Sequence, residues 1–146
     1  MATTLCEKYR PIVWEELAGL ESLKRRVETI RANGGIGGQA FLVLGPSGAG
    51  KTTVAHLLCR EVADPECIQE GNMDTLKDAD ALRQWERISH LYGWGKGGRG
   101  FVLNEVHRLT PTTVAQLLMI LEPTGEGLSP NVVWTLTTTE SEKEFR

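Results

Sequence analysis

The sequence has no hydrophobic run long enough to cross a membrane, no paired cysteine motif, no low-complexity tract and no excess of positive charge. Each absence closes off a class of protein. A helical span needs roughly 18 or more consecutive apolar residues, and the opening MATTLCEKYR has no apolar stretch of the kind that leads a chain into secretion. The expectation is a soluble, cytoplasmic protein without a membrane partner, nucleoid or nuclear if eukaryotic. Three cysteines, Cys6, Cys59 and Cys67, are too few and too widely spaced for a disulfide framework. Cys59 and Cys67 with His56 make three potential ligands, one short of a closed zinc site. Sixteen basic against nineteen acidic side chains leave a net charge of −3, so nothing in the composition draws the whole chain to nucleic acid. The 146 residues suffice for one domain with a core and not for two of ordinary size.

What is present is concentrated in one octapeptide. Residues 45–52 read GPSGAGKT and follow the apolar run Ala40-Phe41-Leu42-Val43-Leu44. A glycine-rich loop between a strand and a helix turns its backbone N–H groups onto a phosphate. The lysine adds a point charge toward the β and γ oxygens, and the hydroxyl after it can complete a Mg²⁺ shell. The helix that follows contributes the partial positive charge of its N-terminus. This makes Pro46, Ser47, Gly48, Ala49, Gly50, Lys51, Thr52 and Thr53 the candidate phosphate cradle for ATP or GTP, with Mg²⁺ as a cofactor and Thr52 as a metal ligand.

Hydrophobic periodicity supplies the frame. Leu20, Leu23, Val27 and Ile30 fall at helical spacing, and the run Asn33-Gly34-Gly35-Ile36-Gly37-Gly38 ends that helix. Val54, Ala55, Leu58 and Val62 form the stripe of a helix stopped near Pro65. Residues 66–70 read as a second strand and Asp78 to Tyr92 as a third helix. The glycine loop 93–100 is expected to be mobile. Phe101-Val102-Leu103 reads as a strand, Thr110-Pro111 as the cap and first turn of a helix bearing Val114, Leu117, Leu118 and Leu121, residues 123–130 as a turn-rich connection, and 132–137 as the last strand. Strands alternating with helices imply an α/β protein, a parallel sheet with helices on both faces and ligands at the carboxyl ends of the strands.

The strand-end acid that usually completes a phosphate-loop site is sought in Asn104-Glu105. Glu105 stands in the place of a water-activating carboxylate, whereas Asn104 stands where an Asp is expected. An amide oxygen can still meet a metal-bound water but brings no charge. Nucleotide binding is therefore expected to survive better than turnover. His56, His90 and His107 read as isolated, partly exposed side chains rather than bases. Trp85 and Trp134 fit core stripes, and Trp94 in the glycine loop is the one exposed aromatic. Lys96, Arg99 and Arg108 could make a small basic surface.

In order along the chain these residues resemble the AAA+ ATPases of DNA clamp loaders, the bacterial polymerase III gamma/tau subunit and the small subunits of replication factor C. The opening Leu5-Cys6-Glu7-Lys8-Tyr9-Arg10-Pro11 with Trp14-Glu15-Glu16-Leu17-Ala18-Gly19 is similar to the family's adenine-side segment, GPSGAGKTT to Walker A, Asn104 to Leu109 to Walker B, and Val133 to Thr139 to the sensor 1 strand. The resemblance implies an AAA+ RecA-like P-loop fold in strand order 5-1-4-3-2. It implies adenine near Tyr9, Arg10, Pro11 and Gly19, with Lys51, Glu105 and Thr138 as catalytic groups, Thr138 sensing the γ-phosphate, and Mg²⁺ between Thr52 and, through water, Asn104. It implies other clamp-loader subunits, a sliding clamp and, in the full assembly, primer-template DNA as partners, with helix starts at Lys77-Asp78 and Thr110-Thr112-Thr113 facing the DNA. Residues 1–146 read as one nucleotide-binding core, with 1–38 the opening segment and first helix and 39–146 the phosphate-loop part. The arginine finger, the fifth strand and the helical lid do not occur in this stretch, as expected of an N-terminal fragment of a longer protein. Two other readings stay open: a nucleotide-binding subunit that does not hydrolyse, and a motor of the branch-migration or recombination-factor branch.

Overall fold

A computed structural model of the chain describes residues 4–72, 74–76, 79–91, 93–122 and 129–139. It separates into two compact units, Met1–Gly35 and Ile36–Arg146.

The first unit holds α1 (Leu5–Lys8), a 3₁₀ turn at Trp14–Glu16 and α2 (Glu21–Ala32). Among the described residues Leu17 and Val27 are its buried apolar side chains, and Lys24 Nζ donates to the Leu17 carbonyl at 2.6 Å. The periodic run is a helix as expected. It ends where the Asn33 N–H bonds back to Thr29 and Ile30, followed by Gly34 at φ +125°.

The second unit is a four-stranded parallel sheet in the order β1-β4-β3-β2, formed by β1 (Gln39–Leu44), β2 (Ile68–Gly71), β3 (Arg99–Leu103) and β4 (Val132–Thr138). The register pairs Leu44 with Thr138, Leu103 with Leu136 and Gly71 with Leu103. Among the described residues three α-helices accompany it: α3 (Lys51–Arg60), α4 (Ala79–Ser89) and α5 (Pro111–Leu121). The order is the one the sequence implied, with β1 at an edge among the described residues.

Side chains alternate across β3 and β4 and sort the helices to opposite faces. Phe101, Leu103, Val132 and Trp134 pack with Leu82 and Trp85 of α4 and Leu117 of α5. Phe101 and Trp134 stack with centroids 4.3 Å apart, and Trp85 lies 5.5 Å from Phe101. The Trp134 indole N–H is buried there without an acceptor. On the other face, α3 lies so close that a methyl group at Gly100 would overlap Cys59. Strands covered on both faces read as near-continuous apolar runs, which is why β3 was legible.

Three details depart from expectation. The second strand is Ile68–Gly71 rather than 66–70, because Pro65 opens a 3₁₀ turn through Cys67. The third helix is Ala79–Ser89; Asp78, Lys77 and Tyr92 lie outside the described residues, as do 123–128 of the connection before β4. The glycine loop expected to be mobile is pinned across itself and to its neighbours: Gly93 N–H bonds to the Gly97 carbonyl and Gly98 N–H to that of Val62, while Trp94 N–H points at Cys67 Sγ at 3.2 Å.

Candidate functional site

The carboxyl ends of the four parallel strands converge beside the N-terminus of α3. There β1 runs into the loop 45–50, and the loop's first amide, Gly45 N–H, donates to the Thr138 carbonyl at the end of β4 at 3.3 Å. Gly48 and Gly50 sit at φ +79° and +87°, a region that costs L side chains about 1–2 kcal/mol and suits glycine. With Gly50 at the helix boundary, no side chain caps α3, so its first N–H groups remain available to an anion. Lys51 Nζ reaches back across the loop to the Pro46 carbonyl at 2.8 Å. Pro46, Ser47, Gly48 and Ala49 are exposed, and Thr53 is half-buried on α3.

Asn104, just past β3, is the hub. Its Oδ1 accepts from the Thr52 hydroxyl at 3.1 Å and from the Thr137 hydroxyl at 3.0 Å. Its Nδ2 donates to Glu70 Oε1 at 2.7 Å, and its own N–H donates to the Gly71 carbonyl at 2.9 Å. The amide orientation follows from Glu70, since a carboxylate only accepts. The second Glu70 oxygen meets His56 Nε2 at 2.8 Å. A helix residue next to the phosphate loop is thereby joined to the ends of β2, β3 and β4.

Glu105 follows with a left-handed backbone at φ 53°, a conformation that costs a non-glycine residue free energy and concentrates at functional sites. Its N–H donates to Thr137 Oγ1 at 3.3 Å, and its carboxylate pairs with Arg108 at 3.3 Å. Thr138 is fully buried, and its hydroxyl bonds His107 Nδ1 at 2.9 Å. Strand alternation turns Thr137, not Thr138, toward Asn104. Tyr9, Arg10, Pro11 and Gly19 belong to the first unit, where Lys8 Nζ lies 5.5 Å from the Tyr9 ring centroid.

Some expectations are corrected here. His56 and His107 are not isolated: each has a strand-end partner. Lys96 Nζ bonds the Arg60 carbonyl at 2.6 Å and Arg99 Nε that of Leu91 at 3.0 Å, so both cations of the glycine loop are tied to backbone acceptors. Trp94 is 81% exposed, as its place in the loop implied. Thr110 caps α5 by accepting from Thr113 N–H at 3.3 Å. Glu70 and Thr137 were not singled out by sequence reasoning. Their signal was position: each ends or nearly ends a strand of a parallel sheet, where ligands bind.

The parallel sheet, the glycine loop running into α3 and the polar strand ends define a P-loop nucleotide-binding α/β protein. More narrowly, residues 40–132 match the AAA domain family in its dynein-related subfamily, and the chain belongs to that family. It is 41% identical over 123 residues to a replication factor C small subunit of Pyrobaculum islandicum, covering 80% of this chain and 37% of that protein. It is 27% identical over 126 residues to the Holliday junction branch migration complex subunit RuvB of an Anaeromyxobacter species, covering 80% of this chain and 32% of that one. The chain thus spans only 32–37% of the length of these relatives. Among solved structures, RuvB of Thermotoga maritima superposes with a TM-score of 0.67 at 23% identity, over 90% of this chain and 42% of that one. A DNA polymerase III gamma subunit-related protein of the same organism gives 0.55 at 15% identity, over 82% and 39%. At these identities the superpositions establish the shared fold.

Proposed function

We propose that this chain is the ATP- or ADP-binding module of a clamp-loader subunit, working with other such subunits on a sliding clamp and primer-template DNA. The observation that carries the nucleotide site is the Thr52–Asn104 contact, which puts the phosphate-loop hydroxyl against the strand end. Thr52 and, through water, Asn104 offer oxygen donors that suit Mg²⁺, and a bound Mg²⁺ would neutralise charge on the β and γ oxygens. The cradle is Pro46 to Thr53, with Lys51 swinging from the Pro46 carbonyl to the phosphates. Tyr9, Arg10, Pro11 and Gly19 are assigned to the adenine side. The clamp-loader branch is favoured over the branch-migration branch by 41% against 27% identity over similar lengths.

Lys51→Ala tests the site. Removing the phosphate-facing charge should weaken ADP binding by calorimetry about tenfold or more. Equal affinity of variant and parent would remove the assignment.

A second reading, binding without turnover, is favoured by the Glu105 carboxylate, which is held by Arg108, and by Asn104, whose acceptor oxygen already takes two hydroxyls. Phosphate release from the full assembly with DNA and clamp separates the two readings.

A further inference from the structure

Position 104 brings an amide to the place where a phosphate-loop site is expected to offer a carboxylate, yet a carboxylate lies against that amide. We propose that Glu70, at the end of the neighbouring strand β2, supplies the negative charge that Asn104 lacks and so sets the Mg²⁺ dependence of nucleotide binding. The inference rests on the nucleotide-binding reading above.

Four residues form the unit. Thr52 and His56 are one turn apart on α3 and project from the same side of the helix. Asn104 and Glu70 come from adjacent strand ends. The contacts run Thr52 Oγ1 to Asn104 Oδ1 at 3.1 Å, Asn104 Nδ2 to Glu70 Oε1 at 2.7 Å, and Glu70 Oε2 to His56 Nε2 at 2.8 Å. The middle bond is short, as expected when the acceptor is charged. It polarises the amide so that Oδ1, the atom facing Thr52, becomes more negative. In the neutral tautomer that donates Nε2–H, His56 orients the carboxylate and leaves its charge in place.

A half-exposed His–Glu pair by itself is a commonplace surface contact of little worth. What sets this one apart is that the second carboxylate oxygen is committed to the side chain that touches the phosphate-loop hydroxyl. Glu70 is thus a positioning and charge-supplying residue, acting through Asn104.

The arrangement predicts a reversal experiment. In Glu70→Gln combined with Asn104→Asp, amide and carboxylate exchange places and the hydrogen bond between them is kept with its polarity inverted. ADP binding to the whole chain is measured by calorimetry with Mg²⁺ and with EDTA for the parent, Glu70→Gln and the double variant, with circular dichroism to establish folding. The parent should gain about tenfold from Mg²⁺, a size typical of one charge-assisted interaction. Glu70→Gln should keep its affinity in EDTA and lose most of the gain, and the double variant should regain it. A merely structural His56–Glu70 contact would not be restored by moving the charge to position 104. A full Mg²⁺ gain in Glu70→Gln, or a folded double variant without one, overturns the proposal. ADP binding by the parent without any Mg²⁺ gain also overturns it while leaving the nucleotide site standing. No ADP binding by the parent in either condition overturns both.

Discussion

Strand β4 is buried from Val132 to Val133, Trp134, Thr135, Thr137 and Thr138, yet its two faces do opposite things. Toward α4 and α5 it presents Val132 and Trp134, packed in an aromatic cluster with Trp85 and Phe101. Toward α3 it presents Val133, Thr135 and Thr137, whose hydroxyls form a hydrogen-bonded seam: Thr135 Oγ1 donates to the Phe101 carbonyl at 3.0 Å and Thr137 Oγ1 to Asn104 at 3.0 Å. Equal burial therefore conceals a division of labour. The aromatic face gains from area removed from water and from ring packing. The threonine face gains little net free energy per bond but fixes direction, and it leads to the phosphate loop.

The sharpest way to break this comparison is Trp134→Ala. Emptying the centre of the aromatic face should cost about 3–5 kcal/mol, the usual range for a buried Trp or Phe truncation, read as a lower urea midpoint. A midpoint near that of the parent would mean that the stability lies elsewhere. Thr137→Val probes the other face with a near-isosteric side chain. It removes two neutral hydrogen bonds, to Asn104 and from the Glu105 N–H, and should cost about 1–3 kcal/mol of stability, while ADP affinity falls by about threefold or more as Asn104 loses a constraint. A stability loss as large as that of Trp134→Ala, or an unchanged ADP affinity, would erase the distinction between the faces.

The smallest effect concerns Cys59, on α3 against the threonine face. Burial pushes its thiol from 9.0 up to about 12, only partly offset by its contacts with Thr135 and the Phe101 carbonyl. The folded state therefore holds this proton more tightly than the unfolded chain does. Its contribution to stability is complete below pH 9 and is lost as the pH rises from 9 toward 12. At pH 8 no effect is expected. Above pH 9 the parent should lose stability more steeply than Cys59→Ala, and parallel pH curves for the two would show that the thiol is not held in this way.

Much of the fold was legible because its signals are local. GPSGAGKT after five apolar residues places a strand, a loop and a helix start within one short stretch, and Thr110-Pro111 states its own cap. Phe101 to Leu103 is apolar throughout because the strand is covered on both faces. The boundaries of β2 were less legible because Pro65 divides the segment between a 3₁₀ turn and a strand. The glycines of 93–98 suggested mobility because composition reports the freedom of the unfolded segment, not the bonds that Val62 and Cys67 later impose on it.

By itself the sequence determined the α/β class, the phosphate loop with Lys51 and Thr52, and the loss of a carboxylate at Asn104, since each is written in contiguous residues or in a simple period. Only the tertiary structure brought a carboxylate against that amide. Glu70 and Asn104 are thirty-four positions apart, and they touch because β2 lies beside β3 in a parallel register that pairs Gly71 with Leu103. Likewise, whether Thr137 or Thr138 faces Asn104 is settled by which side of β4 meets α3. Such contacts depend on strand order and pleat, which the whole chain fixes together through the burial of its two faces.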